Sequence, residues 1–354
     1  MRILLAIVLA ACGASSTPPE TPTTPEPEPH AELPVEPLTI VAESTRRWTG
    51  VTVDASETLY VNFPRWSDDV PISVARLVEG EPIAFPNEAW NQWEGTDPEH
   101  HWVCVQSVVV DAQNRLWVLD PGNPKFEGVV ECAPKLVRFD LPSTEPAQII
   151  RFAAPSITSG SYLNDVRFDL ERNVAFITDS GDGAIVVVDL STGENRRALD
   201  AHPSTEAEDV VLTVGGVTID RPIHADGIAY DPAGDFLYYQ ALRARTLYRI
   251  PGASLRDATL SEDARGASVE RVAESGASDG LLFFQGYVWI SALEHDAIRR
   301  IRPGSDVETA ITDPRIAWPD SFTARAGANH LYFTTAQIHL AEPSAPFRVW
   351  RLNL

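Results

Sequence analysis

The chain has 354 residues, 44% of them hydrophobic, and its 50 acidic residues outnumber the 28 basic residues to give a formal net charge of −22. This charge excludes nucleic acid as a partner, because nucleic-acid affinity rests on Lys and Arg contacts to phosphates. It also excludes a polybasic surface that binds lipid headgroups. The apolar content suffices for a large core, and the acidity favours neutral or cationic ligands.

The N-terminus has the pattern of an export signal. Arg2 precedes an apolar stretch, residues 3–11, which is shorter than the about 20 residues that a membrane-spanning helix needs. The small residues before Cys12 resemble a bacterial lipobox. We predict a signal peptide over residues 1–11, lipidation of Cys12, and a bacterial cell-envelope lipoprotein that is periplasmic or anchored in the outer membrane. An ordinary signal peptide with an incidental cysteine is the alternative.

The segment that follows, residues 12–37, predicts a tether. It is rich in Pro, Thr and Glu and contains no aromatic residue, so it cannot bury a core and is expected to stay extended. Residues 38–354 are predicted to form a single domain. We expect a monomer that touches the membrane only through its N-terminal lipid.

Two cysteines, Cys104 and Cys132, lie in the predicted domain. Both are next to strands of one repeat, and an exported protein meets an oxidising compartment. We therefore predict a disulfide between them, with two free buried thiols as the alternative.

A unit of several short strands recurs along the domain at intervals of ~40–60 residues. Each copy opens with a polar pair, continues as an apolar strand, turns, and returns as a second strand, with a third strand after a variable gap. In the second copy, Gln106-Ser107 precede the first strand, residues 115–120 return, and residues 135–140 form the third strand. The copies open near Gly50, Gln106, Asn164, Asp226, Asp279 and Asp320.

Six such units predict an all-β fold, a six-bladed β-propeller. The final segment, residues 347–352, matches a third strand, which leaves the last blade without a fourth. Residues 38–41 precede the first blade and have no other place. We predict that this N-terminal strand joins the last blade and closes the ring, which removes an open sheet edge.

Several runs resemble the yellow/major royal jelly protein family, including its bacterial branch related to dopachrome tautomerases. They include residues 104–108, 115–120, 163–166, 177–181, 225–229 and 293–298. The resemblance extends from about residue 45 to the C-terminus, and it implies a six-bladed propeller with a pocket in the central channel. Some members convert dopachrome, some bind small amines in the channel, and some have structural or nutritional roles.

In a propeller, the starts of the first strands and the ends of the second strands meet at one end of the channel, because the two strands are antiparallel. Four carboxylates in this register, from Asp165, Asp226, Asp279 and Asp320, form a candidate site. Like charges this close need a cation, a protonated member or backbone donors, and we expect Ca²⁺ or a cationic, aromatic amine. The alternative is that each aspartate caps its own strand. Further predicted ligand-binding residues at this end are Gln106, Asn164, Asp179, Gln240, Gln337 and His339.

Three hypotheses for function follow. A tautomerase-like enzyme would use His224 or His295 with Asp226 as acid and base. A calcium-dependent lactonase, as in similar gluconolactonase-like propellers, would also need an acid in the first blade, where the matching position near Gly50 has none. A non-enzymatic binding or envelope scaffold protein is the third. The aspartates at the opposite end of the first strands are predicted to be turn formers: Asp54, Asp111, Asp169 and Asp231.

Overall fold

A computed structural model describes residues 37–343 and 346–354. The predicted signal peptide, Cys12 and all but the last residue of the tether lie outside the described residues. The described part is a ring of six four-stranded antiparallel sheets. The first strand of each sheet contacts the first strand of the next around a complete circle. The predicted six-bladed propeller is therefore confirmed. Within these residues, no helix is long and apolar enough to cross a membrane.

The first strand of the chain, β1 (Leu38–Ser44), precedes the first blade and belongs to the last. The first three blades then follow in chain order, and each is a meander whose first strand lines the channel. They are β2 (Val51–Val53), β3 (Leu59–Asn62), β4 (Val74–Val78) and β5 (Glu81–Ala84); β6 (Ser107–Val110), β7 (Arg115–Asp120), β8 (Lys135–Asp140) and β9 (Pro146–Arg151); β10 (Leu163–Asp169), β11 (Val174–Asp179), β12 (Ala184–Asp189) and β13 (Asn195–Ala198).

A small hairpin, β14 (Leu212–Val214) and β15 (Val217–Ile219), is inserted before the fourth blade. The remaining blades repeat the meander. They are β16 (Ala225–Asp231), β17 (Phe236–Ala241), β18 (Thr246–Pro251) and β19 (Glu270–Glu274); β20 (Ser278–Phe284), β21 (Tyr287–Ala292), β22 (Ala297–Ile301) and β23 (Glu308–Thr312); β24 (Pro319–Thr323), β25 (His330–Thr335) and β26 (Phe347–Asn353).

The last blade is completed by β1, which pairs antiparallel with β26 from Leu38 opposite Leu352 to Ser44 opposite Phe347. The predicted closure by the N-terminal strand is thus confirmed. Within residues 37–343 and 346–354, helical structure is confined to short segments between strands: α1 (Glu88–Asn91), α2 (Gly252–Arg256), α3 (Glu262–Gly266) and the 3-10 turns Pro124–Phe126 and Leu293–His295.

The core lies between blades. In the described part of the chain, six apolar clusters each join one neighbouring pair of blades. Side chains alternate along a strand, so one face meets the preceding blade and the other meets the following one. In β11, Ala175 and Ile177 pack toward the second blade, whereas Phe176 packs toward the fourth. Burial on both faces explains why these strands are continuous apolar runs.

Candidate functional site

The first strands of the blades begin at one end of the central channel, which we call the near mouth. The structure brings the predicted strand-start residues together there around a narrow neck of about 10 Å³. The opposite end, where first strands turn into second strands, is the far mouth. The residues around the neck include Gln106, Asn164, Asp165, Asp226, Asp279 and Asp320.

A β-bulge aims the aspartates into the channel. The pairing register shifts at the start of the first strand in the third, fourth, fifth and sixth blades, where these residues lie. Bulges of this kind re-aim side chains beside functional sites. Gly227 and Gly280 follow two of the aspartates because a Cβ there would collide with the carbonyl oxygen of Asp279 or Asp320 in the next blade. The Asp-Gly pairs therefore reflect close packing of neighbouring backbones.

The carboxyls of Asp226 and Asp279 share a hydrogen bond. A carboxylate only accepts, so one of the two must carry a proton. Burial and then the charges of Asp279 and Asp320 hold the pKa of Asp226 well above its usual range. Burial raises the pKa of Asp279 to about 6, although an indole N–H bond from Trp318 opposes this rise. The pair therefore holds an exchangeable proton near neutral pH.

The four aspartates at the neck, Asp165, Asp226, Asp279 and Asp320, form what we call the carboxyl ring. Its other two members differ from each other. The pKa of Asp320 is well above its usual range, through burial and then the charge of Asp279. Asp165 instead has donors of its own, because its Oδ1 accepts from Ser107 Oγ at 2.6 Å and from Arg167 Nη1 at 2.9 Å. Among the described residues, no cationic side chain forms an ion pair with the other three carboxyls, those of Asp226, Asp279 and Asp320.

Above the neck lies a cavity of about 210 Å³, the near cavity, with aromatic side chains on one wall. The Trp66 and Phe126 rings lie 5.6 Å apart, and the Phe126 and Tyr162 rings lie 4.9 Å apart. Trp66 Nε1 donates to the Tyr162 hydroxyl at 2.7 Å, and that hydroxyl donates to Gln106 Oε1 at 2.9 Å. Arg221 lies at the rim, with its guanidinium carbon 4.9 Å from the Phe126 ring centroid. The wall is thus fixed by hydrogen bonds and offers flat apolar faces.

Trp318 connects the cavity wall to the carboxyl pair. Its indole Nε1 donates to Asp279 Oδ2 at 2.6 Å, and its ring lines the cavity although it is almost fully buried. Its backbone has φ 57°, a left-handed conformation that is costly for a bulky residue. Such strain is found where surrounding structure holds a side chain in a required place.

Comparison with known proteins agrees with this architecture. The sequence model of the major royal jelly protein family matches residues 103–309. This chain belongs to the major royal jelly protein family. It is 27% identical over 161 residues to yellow-related salivary protein LJM17 of Lutzomyia longipalpis, covering 40% of this chain and 39% of that protein. It is 26% identical over 174 residues to major royal jelly protein 7 of Apis mellifera, covering 47% of this chain and 38% of that protein. The matched regions span less than half the length of either relative.

Solved structures share the fold at low identity. A gluconolactonase from Xanthomonas campestris aligns with a TM-score of 0.56 and 15% identity over 90% of this chain and 89% of that one. A luciferin-regenerating enzyme aligns with a TM-score of 0.53 and 15% identity over 90% and 95%. At such identities the likeness shows the propeller fold alone.

In this family member, the residues at the ends of the second strands serve the framework. Asp179 is fully buried, accepts from the backbone N–H of Tyr162 at 2.8 Å, and pairs with Arg197 at 2.7 Å. Gln240 is also fully buried, and it donates to the Gly276 carbonyl at 2.7 Å. Gln337 is buried and donates to the Pro346 carbonyl at 3.3 Å. All three were predicted to bind ligand, but in the structure they bond to backbone groups of nearby segments.

None of the three predicted histidines lines the near cavity. His224 is half-buried, and its Nδ1 accepts from the Ala207 N–H at 3.2 Å. His295 is exposed, and its pKa is lowered by partial burial and the charge of Arg299. His339 stacks behind Trp318 with ring centroids 5.8 Å apart, and burial lowers its pKa as well. In the described part of the chain, the titratable side chains that line the cavity are instead Asp226, Asp279, Asp320, Tyr162 and Arg221.

The predicted disulfide is not formed, since both cysteines are free. Cys104 is fully buried, its Sγ lies 3.8 Å from the Tyr162 hydroxyl, and burial raises the pKa of its thiol to about 12. Cys132 is exposed in a turn with φ 61°. One thiol thus packs into the core beneath the aromatic wall, while the other faces solvent.

The carboxyl ring does not fit the predicted calcium site. Among the described residues, no group of three or more His, Cys, Asp or Glu side chains is arranged to hold a metal ion. Asp165 already has the Arg167 guanidinium as its cation. In the first blade, a side chain at Gly50 would collide with Asn62, so a carboxylate there would displace the bond from Asn62 to Thr49.

Sequence reasoning missed the aromatic wall and the rim. Trp66 and Phe126 come from loops after second strands, and Arg221 comes from the segment that follows the β14–β15 hairpin. The one local signal was Trp318, which directly precedes the Pro319-Asp320 strand start. Loop residues carry little periodic signal, so their convergence depends on the folded ring.

Proposed function

We propose that the near cavity binds a small aromatic amine and exchanges a proton with it, in the manner of a tautomerase. The observation that carries this proposal is the buried cluster of Asp226, Asp279 and Asp320, which lies beneath the aromatic wall of Trp66, Phe126 and Tyr162. The family likeness supports the same reading, since some members of this family convert dopachrome and others bind amines in the channel.

The charge of the ligand follows from the carboxyl ring. Asp226, Asp279 and Asp320 are buried together without a paired cationic side chain, and burial makes each negative charge costly. A ligand ammonium group that reaches the neck would replace the shared proton as the positive partner. A charge-assisted hydrogen bond in such a buried place is among the strong ones. Aromatic faces around the cavity add cation–π and stacking contacts.

The proton-transfer role follows from the pKa. A general acid or base works best when its pKa lies near the working pH. Burial and then the charges of Asp279 and Asp320 move the pKa of Asp226 upward from its usual range, toward the working pH. Asp226 would pass a proton to or from the ligand while Asp279 stabilises the change of charge. The Tyr162 hydroxyl, whose pKa burial raises well above 10.0, stays neutral and positions the ligand as a hydrogen-bonding group.

Binding is tested first by calorimetry with tryptamine and with indole-3-propionate, which presents the same ring with the opposite charge. We expect tryptamine to bind and indole-3-propionate not to. Affinity should rise as the pH increases through about 6, because Asp279 then loses its proton and becomes the negative partner of the ammonium group. Asp226→Asn should weaken binding, whereas Asp231→Asn, at the far mouth, should not. Equal affinity for both compounds would contradict the proposal.

Catalysis is tested separately by following the loss of dopachrome absorbance. General acid–base catalysis contributes about 100-fold or more, so Asp226→Asn should slow turnover by at least that factor. Binding of tryptamine without turnover of dopachrome would indicate a binding protein and contradict the tautomerase role. Neither binding nor turnover would favour the scaffold hypothesis.

We also propose that the protein is an exported lipoprotein whose propeller is held at the cell envelope by lipid on Cys12. The support is the apolar segment 3–11 with small residues before Cys12, and the Pro-rich segment that follows. Cys12→Ala should release the protein from the membrane fraction, while Cys132→Ala should not. Retention of the Cys12→Ala protein in the membrane fraction would contradict the anchor.

A further inference from the structure

A second cavity opens at the far mouth of the channel. Its volume is about 530 Å³, larger than the near cavity and within the range of small-molecule sites. Side chains from first strands of different blades line it, and most are apolar or aromatic. They include Val109, Phe168, Leu282, Phe283, Phe284 and Phe322.

Arg167 separates this far cavity from the neck. It projects from β10 in the third blade, and its Nη2 donates to the Leu281 carbonyl in the fifth blade at 2.8 Å. Its Nη1 donates to Asp165 Oδ1 at 2.9 Å and to the Val166 carbonyl at 2.7 Å. The guanidinium therefore crosses the channel and also lines the inner end of the far cavity.

The hydrogen-bonding capacity of Arg167 is not used up by these contacts. A guanidinium has five N–H groups, of which three donate in the bonds described, and Nε has no partner. Its single carboxylate partner, Asp165 Oδ1, is shared with Ser107 Oγ and the Val166 N–H. A planar cation at the closed end of an apolar cavity is suited to a carboxylate ligand.

The acidic residues at the rim do not supply that anion, because each has its own donors. Asp54 Oδ1 accepts from the N–H groups of Ser56 and Thr58 at 2.8 and 2.9 Å. Asp111 pairs with Arg115 at 2.7 Å.

Two further charged residues at the rim of the far cavity, Asp169 and Arg325, also have ion-pair partners. Asp169 pairs with Arg256 at 2.8 Å, and Arg325 pairs with Glu57 at 2.7 Å. These contacts leave Arg167 as the cation that faces the cavity from its inner end.

We propose that the far cavity is a second binding site, which takes an apolar monoanion such as an alkyl carboxylate. The carboxylate meets Arg167 and the chain packs against the Phe168, Phe284 and Phe322 walls. Its ligand is opposite in charge to that of the near cavity, and the proposal does not depend on the function proposed for that cavity.

The test is calorimetric titration of the whole purified chain with octanoate and with 1-octanol, which lacks the charge. We expect octanoate to bind and 1-octanol to bind at least tenfold more weakly. Ala324→Trp, which fills the cavity from its wall, should abolish octanoate binding. Ala147→Trp, on the exposed outer strand β9, is the matched control and should retain it.

Arg167→Lys tests the charge partner. It keeps the positive charge but loses the planar fork, and we expect octanoate affinity to fall about tenfold. Unchanged far-UV circular dichroism and thermal midpoint in Ala324→Trp would show that its fold is intact. No octanoate binding by the unmodified chain overturns the proposal. Octanoate binding that survives Ala324→Trp overturns it as well. So does an affinity for 1-octanol equal to that for octanoate, if Arg167→Lys also has no effect.

Discussion

Two sets of acidic side chains lie at the near mouth, in opposite surroundings. Asp120 and Asp179 end second strands and are paired with Lys135 at 3.0 Å and Arg197 at 2.7 Å. Asp226, Asp279 and Asp320 start first strands and have one another as neighbours. All five are buried. Because all five are buried, a cationic partner and not burial separates framework carboxylates from those that remain available for a ligand.

The largest expected effect is on the framework set. Asp120→Asn should lower the free energy of unfolding by about 3–5 kcal/mol, because Lys135 would be left buried without its counter-charge. Asp226→Asn should leave stability at neutral pH unchanged or increase it, since it removes a costly buried acid. Guanidinium unfolding at pH 7.5 measures both. Similar losses in the two variants would contradict the comparison.

The pH dependence of stability comes next. Asp279 binds its proton more tightly when folded, with a pKa of about 6 against an ordinary 3.8. Below 3.8 both states are protonated and the contribution is fully present; it is lost as the pH rises through about 6. This shift corresponds to ~3 kcal/mol. The free energy of unfolding should therefore fall by about that amount over this range, and Asp279→Asn should reduce the fall. A free energy of unfolding that rises with pH over this range, in the native chain and in Asp279→Asn alike, would contradict the prediction.

A smaller effect is expected from the indole bond. Trp318→Phe removes the N–H that lowers the pKa of Asp279, so that pKa should rise above about 6. The pH at which tryptamine binding reaches half its maximum should move upward by about one unit. Trp289→Phe is the control, because its indole donates to the Phe284 carbonyl in β20. Equal shifts in both variants would indicate a general loss of packing.

The smallest effect is expected at the far mouth. Asp231 Oδ1 accepts from the N–H groups of Ala233 and Gly234 at 3.0 Å, as predicted for a turn former. Asn keeps one carbonyl oxygen for these donors, so Asp231→Asn should cost less than about 1 kcal/mol. Tryptamine binding should not change. A loss of binding as large as that of Asp226→Asn would remove the distinction between the two ends.

The strands could be predicted closely because each blade is buried on both faces. Residues 115–120 and 135–140 form strands β7 and β8 with the predicted bounds, and the N-terminal strand takes its predicted place beside β26. Short apolar runs between Gly, Asn and Asp turns have few other ways to bury both faces. The β14–β15 hairpin was missed, since each of its strands has only three residues.

The site could be predicted only in part. The convergence of Asp226, Asp279 and Asp320 followed from the antiparallel repeat, which brings strand starts to one end. The structure does not bring the predicted histidines to the cavity, and the reason is different. His224 and His339 are close in sequence to strand ends, but a turn of the chain places their rings behind the cavity wall, against the Ala207 N–H and Trp318. Proximity in sequence does not specify the direction of a side chain in a loop.

The sequence by itself determined the propeller, its closure and the end of the channel at which the polar side chains gather. These depend on local strand periodicity and on the repeat, both of which are visible along the chain. Only the tertiary structure decided which carboxyls have a cationic partner and which have one another as neighbours. The free energy of a buried charge depends on neighbours in space, and the cationic partners of Asp120 and Asp179 come from other strands of the same folded blade.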